Sequence, residues 1–307
     1  MEKKFSVKGF VFLVMTAVIW GFACVAQVLG ADSMTPFYFN FSRYLLGTLS
    51  VIPMFMIFEK GATDKKKLKM TLIAGIPAGF ALFAASMVQQ IGFGLTDSAG
   101  KGGFITGLYM IIVPILGLFI GHKTGISTWI GASFGVVGLF MLCVGDSSFT
   151  FTLGDFLLIL CAVFYAIHIL IVDHFVQDIY SLRFSFVQYA TSTVLNLICT
   201  LIFEEFAWAP LQAALIPVLY CGIGSVGIAY TCQILGQKYS DPTSASVILS
   251  TESVFSAIGG ALILNERFTT MGYVGCVLIL IGILLTQIDF KAFKRRKRLS
   301  KSTSESI

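Results

Sequence analysis

From residue 9 to residue 288 the chain is a succession of apolar runs, each about as long as a bilayer is thick. A helix crossing about 30 Å of hydrocarbon takes about 20 mostly apolar residues. Ten such stretches can be marked, at 9–30, 36–58, 70–91, 99–120, 127–145, 155–172, 182–203, 211–236, 243–265 and 269–288. In hydrocarbon a backbone must satisfy its own hydrogen bonds, which leaves helices or a closed barrel. Barrel strands need ten-residue alternation of apolar and polar positions, and this sequence lacks it. Composition agrees, with 56% hydrophobic and 12% charged residues against about 25% charged in soluble domains. The expected fold is an all-α integral membrane protein with ten transmembrane helices.

The charges suggest an orientation, because Lys and Arg are retained on the cytoplasmic side. With the N-terminus inside, 18 of the 21 Lys and Arg fall in inner segments. The exceptions are Arg267, in an outer loop, and Arg43 and Lys101, inside spans. Both termini are thus expected in the cytoplasm of a multi-pass cell-membrane protein. The basic tail at 291–307 is expected to lie on anionic lipid headgroups, with no nucleic-acid partner. The first apolar run is too long for a signal peptide and has no clear small-residue cleavage site, so it is expected to stay in the mature protein. All seven cysteines fall inside spans without the spacing of a zinc site or a disulfide framework, and read as packing residues.

The chain is also written twice. The stretch SMVQQIGFGLTDSAGKGGFITG, from Ser86, aligns without gaps on YTCQILGQKYSDPTSASVILST, from Tyr230, at a shift of 144. Nearer the N-terminus the shift is 145, and there Gly9 meets Gly154, Trp20 meets Tyr165 and Tyr44 meets Tyr189. The predicted units are a first repeat at 1–148, a second at 149–290 and the tail at 291–307. Each repeat holds five spans, an odd number, so the second must enter the membrane from the opposite face. That is the inverted repeat of many secondary transporters, whose halves rock about a shared site.

Three stretches carry a resemblance to a known family: AVIWG at 17–21, TDSAGKGGFITGLYMIIVP at 96–114, and SDPTSASVILSTESVFSAIGGALILNE at 240–266. With these the chain resembles the EamA-type family of the drug/metabolite transporter superfamily over nearly its whole length. The resemblance implies a ten-helix metabolite permease with both termini inside and a central cavity. The family's ninth-span motif reads Glu-Pro, whereas Ser253 follows Glu252 here, so no role resting on a proline kink carries over.

Charged and polar groups inside spans are the natural site candidates, because burying them in a membrane is costly. Arg43 lies about seven residues into its span and Glu252 nine, depths that would let the two pair across the halves, as a fixed bond or as part of transport. Lys101 suits either a snorkelling role or an outer vestibule that attracts an anion. His168 suits a hydrogen-bonded core position or a proton carrier. Trp20, Tyr44, Tyr109, Tyr165, Tyr189 and Tyr230 could line an amphipathic cavity, and Gln89 and Gln233 are repeat-related polar groups suited to gating.

Catalytic motifs fail on their context. TDSAGKGG lacks the spacing, hydroxyl and strand of a phosphate-binding loop. GASFG at 131–135 fits the serine-hydrolase pattern but sits in an expected helix. No catalytic residue, metal or cofactor is expected. The sequence reads as a permease for a small polar or zwitterionic metabolite, with a membrane sensor or an enzyme acting on a lipophilic substrate as the alternative.

Overall fold

The structure, a computed structural model, describes residues 6–96, 98–122, 125–143, 152–267 and 269–286. The basic tail lies outside them. The first half holds α1 (Val7–Ala31), α2 (Pro36–Phe58), α3 (Lys65–Gly94), α4 (Ala99–Gly107), α5 (Tyr109–Phe119) and α6 (Ile126–Cys143). The second holds α7 (Leu153–Phe175), α8 (Ser181–Phe203), α9 (Trp208–Ala213), α10 (Leu215–Leu219), a π-helical segment (Tyr220–Tyr230), α11 (Thr231–Gln237), α12 (Pro242–Leu249), α13 (Glu252–Ile263) and α14 (Thr270–Thr286). No strand occurs among the described residues.

Helix starts follow from residues that hold the free N–H groups of a first turn. Asp64 accepts from Lys66 N and Lys67 N before α3, Ser98 from Lys101 N before α4, and Asp241 from Ser244 N before α12. Thr152 and Asp155 form a reciprocal capping box at α7. Eight segments are long and apolar enough to cross a membrane: α1, α2, α3, α4 with α5, α7, α8, α10 through α11, and α12 with α13. The other two expected spans are helical as well, as α6 and α14.

Three expected spans are interrupted rather than continuous. At the α4–α5 junction the bonding tightens to i→i−3, with Leu108 N on Ile105 O at 3.2 Å and Ile111 N on Leu108 O at 3.0 Å. The α12–α13 junction repeats this with Thr251 N on Ile248 O at 3.2 Å and Val254 N on Thr251 O at 3.0 Å. Such mid-helix tightening is a usual mark of a hinge. The third interruption is the π-helix YCGIGSVGIAY, in which Gly222 and Gly227 bring the backbone close to α2. Side chains of α1 reach its carbonyls: Trp20 Nε1 donates to Ser225 O at 3.4 Å and Thr16 Oγ1 to Ala229 O at 3.0 Å.

Contacts between the halves recur in reciprocal pairs. Glu204, just past α8, accepts from Phe37 N and Tyr38 N at the start of α2, at 3.1 and 2.7 Å. Glu59, just past α2, accepts from Leu182 N and Arg183 N at the start of α8, at 2.9 and 3.1 Å. These two helices therefore run antiparallel, each capping the other. Between them Thr48 and Thr193, equivalent at the shift of 145, share a hydrogen bond of 3.1 Å. α6 and α14 pack equally closely, since a Cβ on Gly138 would sit 2.5 Å from Gly275 O, and one on Gly282 the same distance from Gly131 O. Small residues let helices approach where lipid offers no hydrophobic drive. The surface is apolar, with Phe119, Ile216, Phe58 and Leu262 all well exposed, and the polar groups are gathered inside.

Candidate functional site

α1 turns one face to the centre of the molecule, and Trp20, Ala23, Cys24 and Gln27 on that face line a cavity of about 20 Å³. The opposite walls come from Arg43 on α2, Gln89 on α3, Tyr109 on α5 and Tyr165 on α7, with Ser225 and Tyr230 on the π-helix and Glu252 at the start of α13. A cavity needs about 10–15 Å³ to hold one water, so this space is far smaller than an organic solute. A larger pocket of about 360 Å³ lies between α13 and α14, but its lining of Val254, Ala257, Ile258 and similar residues offers no charge to a polar solute.

Arg43 is only 2% exposed. Its Nε donates to Asn40 Oδ1 at 2.8 Å and its Nη1 to Gln27 Oε1 at 3.0 Å, while Nη2 has no partner. The guanidinium carbon lies 5.7 Å from the Phe39 ring centroid and 5.3 Å from that of Tyr44, within cation–π range. Glu252 is 4% exposed, and its Oε1 has no partner. Arg43 and Glu252 line the same cavity from opposite halves, yet no ion pair joins them. The expected direct pairing is absent from this conformation, in which neutral amides on α1 and α2 take Nε and Nη1 and leave Nη2 open.

The aromatic side of the cavity is a connected relay. Tyr230 OH donates to Tyr165 OH at 2.9 Å, and Tyr165 OH donates to Gln89 Oε1 at 3.0 Å. Trp20 packs edge-on to Tyr230 at 4.6 Å and stacks at 6.4 Å on Tyr165, its own repeat counterpart. Tyr109 OH, across the cavity, has no partner. The site thus offers one cation, one carboxyl group, an aromatic wall and several hydrogen-bonding groups within a single enclosure.

Five expected site residues lie away from the cavity lining. Tyr44 is fully buried beneath the Arg43 guanidinium. His168 Nε2 meets Gln188 Oε1 at 2.9 Å, Tyr189 OH meets Thr231 Oγ1 at 3.0 Å, and Gln233 Nε2 donates to Gln237 Oε1 at 3.0 Å. Lys101, its side chain 24% exposed, bonds Asp155 Oδ2 through Nζ at 2.8 Å, joining α4 to α7. The same end of α4 is held on its other side by Glu266, which accepts from Ala99 N at 2.8 Å and Gly100 N at 3.2 Å. Ser256 Oγ on α13 donates to Ala99 O at 2.7 Å and Ser253 Oγ to Gly103 O at 2.8 Å. Ser133 of the GASFG motif bonds only its own helix, at Trp129 O.

Sequence reasoning missed Cys24, Gln27 and Ser225. The α1 residues were recoverable, since positions 20, 23, 24 and 27 follow the helical spacing of one face. Ser225 was not, because its place depends on the π-helix.

The EamA-like transporter family profile matches residues 7–144 and again 152–288, one match for each half. The chain belongs to the EamA-like transporter family. Three relatives extend this. An uncharacterized transporter of Archaeoglobus fulgidus is 28% identical over 284 residues, 90% of this chain and 84% of that protein. Two from Bacillus subtilis, the uncharacterized transporters YdfC and YoaV, are 22% and 23% identical over 88% and 95% of this EamA-like chain and 88% and 99% of their own lengths. A crystal structure shares its fold at a TM-score of 0.73 and 19% identity, covering 90% of this chain and 95% of that one. The chain is therefore a multi-pass membrane protein of a transporter family, with a small-molecule solute as the partner that membership suggests.

Proposed function

We propose that this protein is a secondary carrier that moves a small polar or zwitterionic metabolite, of the amino-acid kind, across the cytoplasmic membrane by alternating access. Its ten spans form two inverted five-helix units, 1–148 and 149–290, with both termini in the cytoplasm. The observation that carries this reading is the placement of Arg43 and Glu252, from opposite halves, on one cavity without a bond between them. Charges inside a membrane protein are costly unless paired or used. A zwitterion would meet both at once, its acidic group at Arg43 and its ammonium at Glu252 beside Tyr109, with Trp20, Tyr165 and Tyr230 packing the remainder. The reciprocal caps of α2 and α8 support the inversion, because two equivalent helices run antiparallel.

Closure of the cavity to about 20 Å³ fits an occluded state, from which either end opens at the tightened junctions of α4–α5 and α12–α13. Flux in proteoliposomes tests the reading. Accumulation or exchange of amino acids is expected, and is lost in Arg43→Gln and Glu252→Gln; absence of flux for every polar and zwitterionic solute offered would reject it. The orientation is checked by a cysteine at position 66, which should react with an impermeant maleimide only from the cytoplasmic face.

A further inference from the structure

Arg43 is held by an unusual set of acceptors. A buried guanidinium that serves only structure is stabilised most by a carboxylate, which meets both its hydrogen bonds and its charge. Here Asn40 Oδ1 and Gln27 Oε1 take Nε and Nη1, and both are neutral amides. The Asn40 amide is itself anchored to α3, its Nδ2 donating to Ser86 O at 3.1 Å, and Gln90 Nε2 of α3 donates to the backbone carbonyl of Gln27 at 3.1 Å, which holds α1 beside it. Glu252 shares the cavity but makes no ion pair. The orientation of the guanidinium is fixed, its charge is not cancelled, and Nη2 remains unbonded.

We infer that Gln27 and Asn40 are positioning residues that fix the Arg43 guanidinium while leaving its charge uncompensated, so that the cavity selects solutes bearing a carboxylate. The inference deepens the carrier reading and rests on it for the cavity's role as the solute site. A single change, Gln27→Glu, would cancel the charge in place with little change of shape. The second half has no such cation: at the shift of 145 Arg43 corresponds to Gln188, which pairs with His168. The acid-binding end of the solute is therefore assigned to the first half alone.

The test uses the purified full chain in nanodiscs and formate, a carboxylate of three heavy atoms, with chloride at equal ionic strength as the reference. Binding to the native state raises the thermal midpoint by mass action, so wild type should show a saturable formate shift that chloride does not give. In Gln27→Glu the apparent affinity for formate should fall about tenfold or more, the scale of one hydrogen bond to a charged group. Gln27→Leu loses the bond that orients Nη1 but leaves the charge uncompensated, and should weaken formate less than Gln27→Glu does. A purely structural role predicts the reverse order, with Glu harmless and Leu damaging. No saturable shift in wild type, or equal formate affinity in wild type and Gln27→Glu, overturns the inference. If Gln27→Leu does not fold, the first comparison still decides. Because the readout is binding, formate selectivity without any solute flux would sink the carrier reading alone, and flux without formate selectivity would sink this inference alone.

Discussion

α4 and α12 hold equivalent places in the two repeats, open the same interrupted span, and are fastened by different physics. α4 is tied to α7 through Lys101 and Asp155, to α13 through Ser253 and Ser256, and to Glu266 just past α13. At the repeat shifts these five residues correspond to Ala245, Phe10, Tyr109, Ile112 and His122. The side-chain hydrogen bonds of Asp241, Ser246, Ser250 and Thr251 close within the turns of α12 itself. Its outward fastening is apolar, through buried Ala245, Val247, Ile248 and Leu249. α4 is thus held by a few directed bonds, each of which one substitution can remove. α12 is held by packing spread over many atoms, which no single polar change releases.

The comparison is broken most severely at the cavity itself. Arg43→Gln and Glu252→Gln should each lower solute flux about 10- to 100-fold, the scale of a lost hydrogen bond to a charge, with folded protein in the membrane at wild-type level by gel filtration. Loss of folded protein instead would make both charges structural.

Next in size is the latch on α4. Lys101→Gln should raise the population open at that end about tenfold, since it removes the bond between α4 and α7 and favours the state in which they part. Thiol accessibility of cavity residues measures this. Ser256→Ala should act in the same direction by about fivefold, the value of one buried hydrogen bond. Ser246→Ala on α12 should leave accessibility unchanged, because its bond lies within its own helix. Equal effects of the two serine substitutions would erase the distinction between α4 and α12.

The smallest effects fall where the repeats are alike. Glu59→Ala and Glu204→Ala each remove a cap from the partner helix, which costs about 0.5–2 kcal/mol. Both should lower the thermal midpoint by a similar few degrees without favouring either open state. A strong bias of accessibility by one of them would show that the α2–α8 pair is part of the gate.

What the sequence made legible follows the same division. Helical spans, their repetition and the inner position of Arg43 and Glu252 could be read because hydrophobic length and misplaced charge are local signals. Lys101 was found as an anomaly, but its partner Asp155 reads as an ordinary capping residue until α4 and α7 are brought together. The neutrality of the Arg43 acceptors was hidden for the same reason, since Gln27 is 16 residues away on another helix. The π-helix was illegible, because a glycine-rich apolar run is equally consistent with an α-helix.

Cys24 gives the most direct test of alternating access, because this native thiol lines the cavity between the two ends. With the other six cysteines replaced, sealed vesicles of either orientation would be treated with a small membrane-impermeant thiol reagent. The account predicts slow labelling from both faces, faster from the α4 face in Lys101→Gln and slowed by a transported solute. Labelling from one face only, in wild type and Lys101→Gln alike, would contradict it.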